Sequence, residues 1–119
     1  MKKSILICDD EEGIRESLKL ILEKEFDLSF SANGNEAIEL LKKRPFDAVI
    51  MDIKMPKIDG IETMRKLREI RPNPKILVTS GYKSVETAQE AVSAGASNYI
   101  VKPFERTEIL DAVHKLTSK

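Results

Sequence analysis

Residues 46–60 read FDAVIMDIKMPKIDG. Five of the six residues from Phe46 to Met51 are apolar, and a run that is apolar almost throughout is the pattern of a strand covered on both faces. Asp52 stops the run, and Met55-Pro56 and Asp59-Gly60 supply turn signals directly after it. The most hydrophobic segment of the chain thus closes on a carboxylate, and the rest of the sequence has to account for that.

Four other short runs share this character: SILIC (4–8), DLSFS (27–31), KILVT (75–79) and SNYIV (97–101), beside DAVIM (47–51) itself. DLSFS is the most polar and reads as an edge strand. Segments of helical period lie between and after them. Ile14, Leu18, Ile21 and Leu22 mark the first stripe, and Ala37, Ile38 and Leu41 the second. Ile61, Met64 and Leu67 mark the third, and Ile109, Leu110, Val113 and Leu116 the fifth. The fourth, SVETAQEAVSAG, carries only Val85, Ala88, Ala91 and Val92 as apolar anchors. Asn33 with Glu36 and Asp59 with Glu62 have capping-box spacing, and Ser84 is a candidate N-cap. Gly95 stands where a left-handed residue would end the fourth helix, and Pro72 and Pro74 stop the third. Five strand-helix units predict an α/β domain over residues 1–119, a three-layer sandwich whose parallel sheet carries helices on both faces. Right-handed crossovers then bring every strand's C-terminal end to one edge, where such sheets bind ligands.

Composition narrows the function. Twenty basic and twenty acidic residues cancel, which argues against an electrostatic footprint for nucleic acid or an anionic membrane. No stretch approaches the roughly 20 apolar residues of a membrane span, and MKKSILICDD lacks a signal peptide's long apolar region. The single cysteine, Cys8, sits in an apolar run and reads as core filler; one cysteine makes no internal disulfide, so a cytoplasmic location is the default expectation. His114, beside Lys115 in the last helix, reads as a surface residue, and Lys42-Lys43-Arg44 as a solvated helix end favoured by the dipole.

The residues at the strand ends are more specific. Asp9 and Asp10 come after the first strand and Asp52 after the third; the fourth ends in Thr79 and Ser80, with Gly81 and Tyr82 next; Lys102, Pro103 and Phe104 come after the fifth. Three carboxylates, a hydroxyl and an ammonium therefore converge on one rim from four segments. At an effective dielectric of about 20, two carboxylates about 4 Å apart repel by roughly 4 kcal/mol, so the cluster calls for a cation. Oxygen donors without histidine favour a hard ion, Mg²⁺ above all. A carboxylate flanked by Mg²⁺, an ammonium and a hydroxyl suits stabilisation of a phosphoryl group in transfer, with Asp52 as the nucleophile forming an acyl phosphate. Asp10 could also cap the first helix.

The segments ICDDEEGIR, VIMDIKMPKIDG, VTSGY and GASNYIVKPF closely resemble the receiver domain of bacterial two-component response regulators, of the single-domain chemotaxis or sporulation-relay type, over essentially the whole chain. The resemblance implies a flavodoxin-like (βα)5 fold of strand order 2-1-3-4-5 and phosphoryl transfer from a histidine kinase or histidine phosphotransfer protein. It makes Asp52 the phosphoacceptor, Asp10 a direct Mg²⁺ ligand, Asp9 a ligand acting mainly through water, and the backbone carbonyl of Lys54 a further ligand. It pairs Lys102 with the phosphoryl group and makes its bond to Pro103 cis. The family's usual spacing back from Lys102 lands on Ser80 as switch hydroxyl, with Thr79 as the alternative, and gives Gly81 the small-residue position. Tyr99 matches the switch aromatic, which rotates inward when Ser80 moves; a static core role is the other reading. Gly13, Ile14, Tyr82, Pro103 and Phe104 would dock the kinase, Ile14 being equally a continuation of the core stripe. The fourth helix, fifth strand and fifth helix form the expected output face toward a protein partner. Lys54 and Tyr82 flank the path of an attacking water, which predicts slow loss of the phosphoryl group.

Two other classes share strand-end chemistry. A haloacid-dehalogenase-like phosphatase would carry a second acid two residues after the nucleophile, where this chain has Lys54. A flavodoxin-like flavin carrier would need a hydroxyl- and glycine-rich loop after the first strand, where DDEEG would repel phosphate. The chain therefore reads as a signalling phosphoacceptor that assists its own phosphorylation and dephosphorylation, not as a turnover enzyme. A stand-alone monomer is expected, with a phosphorylation-linked dimer and a receiver excised from a longer DNA-binding regulator as alternatives.

Overall fold

The computed structural model describes residues 2–53, 60–71, 75–81 and 85–118, and of residues 85–88 the backbone alone. Five units alternate: β1 (Lys3–Cys8), α1 (Glu12–Leu22), β2 (Phe26–Ser31), α2 (Gly34–Lys43), β3 (Ala48–Asp52), α3 (Gly60–Ile70), β4 (Ile76–Ser80), α4 (Val85–Ala94), β5 (Asn98–Val101) and α5 (Arg106–Thr117). The strands are all parallel, in the order β2-β1-β3-β4-β5. β2, the most polar of them, is an edge strand as its composition predicts.

Alternation along the strands divides the core in two. Ile5, Ile7, Ala48, Ile50 and Leu77 face α1 and α5, meeting Leu18, Leu22, Ile109, Ala112 and Val113. Leu6, Cys8, Val49, Met51, Ile76 and Val78 face the other way, onto α2, α3 and α4. This two-sided burial is why the runs are continuously apolar. Each fully buried leucine or isoleucine contributes about 1.5–3 kcal/mol of transfer free energy.

The strand ends differ by a residue from the apolar runs. β3 continues to Asp52 and β4 to Ser80, because backbone pairing goes on where side-chain hydrophobicity stops: Asp52 pairs with Thr79 and Ser80 with Val101. Asp47 falls outside β3, its carboxylate accepting the Ser4 N–H at 2.7 Å.

Asn33 caps α2, its side chain accepting the Glu36 N–H at 3.0 Å. Glu36 does not complete the box on Asn33; its carboxylate reaches one residue further, to the Ala32 N–H at 2.7 Å. At the end of α4, Gly95 has φ +113°, and the bonds Ala96 N–H to Ala91 O and Gly95 N–H to Val92 O, both 3.0 Å, form a Schellman motif. Among the described side chains of α4, Ala91 and Ala94 are buried, whereas Val92 is 61% exposed. Val92 was expected as an anchor, but one residue turns a helix by about 100° and takes it off the face shared by positions three apart. Asp59, Pro72, Pro74 and Ser84, and the side chains of Val85 and Ala88, lie outside the described residues.

α3 begins hard against the tip of β3. The Gly60 N–H donates to Ile53 O at 2.6 Å, and a Cβ on Gly60 would stand 2.3 Å from Asp52 O. Glycine is required there by space. At its far end α3 braces both neighbours: Arg68 donates to Ala94 O of α4 at 3.3 Å, and Arg71, just beyond the helix, to Leu41 O of α2 at 3.2 Å. Such bonds satisfy carbonyls that a helix end leaves without partners.

Candidate functional site

At the C-terminal edge of the sheet, backbone bonds between neighbouring strand ends fix the positions from which the side chains reach out. The Asp9 N–H donates to Ser31 O at 3.1 Å, the Ile53 N–H to Thr79 O at 3.2 Å, and the Lys102 N–H to Ser80 O at 2.7 Å. Asp9 and Asp52 are buried and Asp10 is exposed. Lys102 bridges the group: its ammonium donates to Asp9 Oδ2 at 2.9 Å and lies 3.5 Å from both Asp52 Oδ2 and Glu11 Oε1. The Lys102-Pro103 peptide is cis, as the resemblance implied.

Asp9 is oriented from several directions. Its Oδ1 accepts the Glu11 N–H at 2.9 Å, and its carbonyl accepts Arg15 Nη1 at 2.7 Å. The residue at the N-cap of α1 is Glu11, with no side-chain cap bond. The expected capping by Asp10 is therefore not what is observed; the carboxylate that meets the start of the helix is Asp9, one position earlier. Glu11 and Arg15 are site residues that the sequence reading missed. The available signal was the acidic run Asp9–Glu12, but only the entry angle of α1 decides which of its members face the rim.

Burial by itself would make the Lys102 ammonium easier to deprotonate. The hydrogen bond to Asp9 and the charges of Asp52, Asp9 and Glu11 outweigh it and raise the group above its ordinary 10.5. Lys102 is thus charged at neutral pH; its ion-pair stabilisation is present below 10.5 and is lost only as pH climbs through the raised value. Burial likewise pushes the Cys8 thiol up to about 12, which makes it a core residue and no nucleophile.

Carboxylate oxygens of Asp9, Asp10, Glu11 and Asp52 all lie within 4.8 Å of one another. An all-oxygen donor set, partly buried and with the Lys102 ammonium beside its carboxylates, fits a hard divalent cation. Ser80 is fully buried at the tip of β4, and Thr79 is buried beside it. Their positions alternate, so the two hydroxyls leave opposite faces of the strand. Thr79 Oγ1 has no hydrogen-bond partner among the described residues. A Cβ on Gly81 would meet nothing within 4 Å among the described residues. Tyr99 is half-buried against the α3–α4 side of the core. Gly13 and Pro103 are exposed, and Ile14 and Phe104 are half-buried against the α1–α5 core. Lys54 and Tyr82 lie outside the described residues.

Two other expectations concern residues off the rim. His114 is exposed, 3.1 Å from Glu25 and against the Phe26 ring, beside an open groove of about 480 Å³ at the opposite edge of the sheet. Arg44 is not simply solvated: it donates to Ser29 Oγ at 2.7 Å and stacks over the Phe46 ring at 4.6 Å.

The chain is thus a doubly wound parallel sheet with two buried aspartates, an acidic cluster and a lysine at its strand ends. Residues 5–114 match the response regulator receiver domain, and the chain belongs to that family. It is 40% identical over 114 residues to the chemotaxis protein CheY of Halobacterium salinarum, covering 95% of each. It is 41% identical over 118 residues to the transcriptional regulatory protein SrrA of Staphylococcus aureus, covering 98% of this chain and 48% of SrrA. Among solved structures, a response regulator protein from Burkholderia pseudomallei with a phosphorylated aspartic acid, calcium ion and citrate is similar. Its TM-score is 0.85 at 32% identity, covering 93% of this chain and 66% of that one. No helix among the described residues is long and apolar enough to cross a membrane.

Proposed function

We propose that Asp52 is the phosphoacceptor of this receiver, taking a phosphoryl group from a histidine kinase or histidine phosphotransfer protein. The observation that carries this reading is the buried Asp52 carboxylate at the tip of a central strand, 3.5 Å from the Lys102 ammonium and inside the four-carboxylate cluster. An Asp52 oxygen attacks phosphorus, the phosphorus–nitrogen bond of the donor's phosphohistidine breaks, and the electron pair leaves on the imidazole. Lys102 neutralises charge on the phosphoryl oxygens, the Ser80 hydroxyl donates a hydrogen bond to one of them, and Gly81 leaves room for the group. Asp9 and Asp10, with the Lys54 carbonyl, would hold Mg²⁺, which when bound offsets the negative charge gathered there. The phosphorylated aspartic acid and calcium ion of the Burkholderia pseudomallei relative support the same chemistry here.

Gly13, Ile14, Pro103 and Phe104 flank this rim from the first turn of α1 and the residues after β5, and with Tyr82 they form the proposed kinase-docking surface. A phosphoryl group on Asp52 adds close to two negative charges. Ser80 and Tyr99 then carry the change to the α4-β5-α5 face, which acts on a protein partner. Similar segments make up nearly all of CheY and about half of SrrA, and the proposed chemistry is the same in a stand-alone regulator and in the receiver portion of a longer one. Asp52 has the same role in both.

Intact mass after incubation with acetyl phosphate and Mg²⁺ tests the central claim. One phosphoryl adduct on the native chain, dependent on Mg²⁺ and absent from Asp52→Asn, is the expected result. An adduct that persists in Asp52→Asn, or none on the native chain, refutes it. Following the decay of the adduct then tests the slow hydrolysis proposed from Lys54 and Tyr82; loss within seconds would contradict it.

A further inference from the structure

Glu11 stands at the helix N-cap, where a side chain ordinarily bonds a first-turn amide. It makes no such bond. Its carboxylate turns to the rim, with Oε1 3.5 Å from Lys102 Nζ, while its own N–H donates to Asp9 Oδ1 at 2.9 Å. The other oxygen of Asp9 holds the same ammonium at 2.9 Å. Lys102 therefore rests in a fork between Asp9 and Glu11, with Asp52 3.5 Å away. The two arms differ in setting, since the Asp9 side chain is 2% exposed and that of Glu11 63%.

That difference matters once Asp9 serves a divalent cation, as the proposed function requires. An oxygen committed to the cation is a poorer acceptor for an ammonium, so the shorter arm weakens. Glu11 belongs to the same four-carboxylate cluster, but it lies on the solvent side and is not among the residues proposed to hold the cation or to accept the phosphoryl group, so its carboxylate stays available to Lys102. We propose that Glu11 is a positioning residue for Lys102, holding the ammonium at the rim when Asp9 turns to the cation. Lys102 thus neither closes onto the Asp52 carboxylate as a tight pair nor swings into solvent. The inference rests on the reading of Asp52 as phosphoacceptor and deepens it.

The test reads the Lys102 side-chain ammonium by NMR, assigned by its loss in Lys102→Arg, with and without saturating Mg²⁺, in the native chain, Glu11→Gln and Glu11→Asp. The rate of adduct formation with acetyl phosphate at saturating Mg²⁺ is measured beside it. In the native chain the signal stays displaced from those of solvent-exposed lysines in both conditions. In Glu11→Gln it is displaced without Mg²⁺, because Asp9 remains, and moves on adding Mg²⁺. Adduct formation slows about two- to fivefold, the size of a half-exposed ion pair. Glu11→Asp, which keeps the charge, restores the native signal. A Glu11→Gln signal that tracks the native one in both conditions overturns the proposal, whatever happens to the rate. The signal needs no phosphorylation, so it decides on Glu11 even if the native chain forms no adduct, an outcome that would count against Asp52 alone.

Discussion

The two hydroxyls at the tip of β4 show how much a single position decides. Thr79 and Ser80 are chemically interchangeable as donors, yet strand alternation sends them to opposite faces of the sheet. Thr79 Oγ1 is buried without a partner among the described residues, and such a group destabilises by about 1–3 kcal/mol. Thr79→Val should therefore match or exceed native stability in urea denaturation. It should also keep the phosphorylation-linked change in the Tyr99 ring signals, which Ser80→Ala should lose; the reverse pattern would make Thr79 the switch hydroxyl. Asp9, Asp10, Asp52 and Lys102 were legible in the sequence because each lies at or just beyond the end of an apolar run. Glu11, Arg15 and Arg44 were not. Their contacts depend on the angle at which α1 leaves the sheet and on how α2 lies over β2, and neither is encoded in local spacing.

Among the elements, helix stripes were read well where they were strong. Leu18, Leu22, Ile61, Met64, Leu67, Ile109 and Val113 are all buried. In α4 one expected anchor failed: Val92 is exposed, whereas Ala91 is buried together with Ala94, and the side chains of Val85 and Ala88 lie outside the described residues. The end of the helix adds a further tie: Gly95 closes the Schellman motif, and Arg68 lies against it, 2.9 Å from where a Cβ would stand. Gly95→Ala should cost about 1–2 kcal/mol for its left-handed backbone, read as a lower urea midpoint. Hydrogen exchange should quicken first in the last turn of α4. Equal acceleration across all five helices would mean that the cap serves the whole fold and not this helix.

For the whole molecule, balanced net charge coexists with a local concentration of charge: among the described residues, the carboxylates of Asp9, Asp10, Glu11 and Asp52 gather and repel one another around the Lys102 ammonium at a single edge. Under the proposed reading Mg²⁺ relieves that repulsion only in the folded state, so it should stabilise the fold by about 2.7 kcal/mol at a hundredfold excess over its Kd. A rise in Tm with Mg²⁺, blunted in Asp10→Asn, checks this in a thermal scan. A Tm indifferent to Mg²⁺ would count against the cation site. The opposite edge has another use. There Lys3 donates to the Thr117 carbonyl, tying the beginning of β1 to the end of α5. Strands of five or six residues separate this knot from the carboxylates, a span of roughly 17–20 Å. A label, a surface tether or a fused protein joined at residue 2 or 118 would therefore stand behind the molecule, leaving the carboxylate edge uncovered.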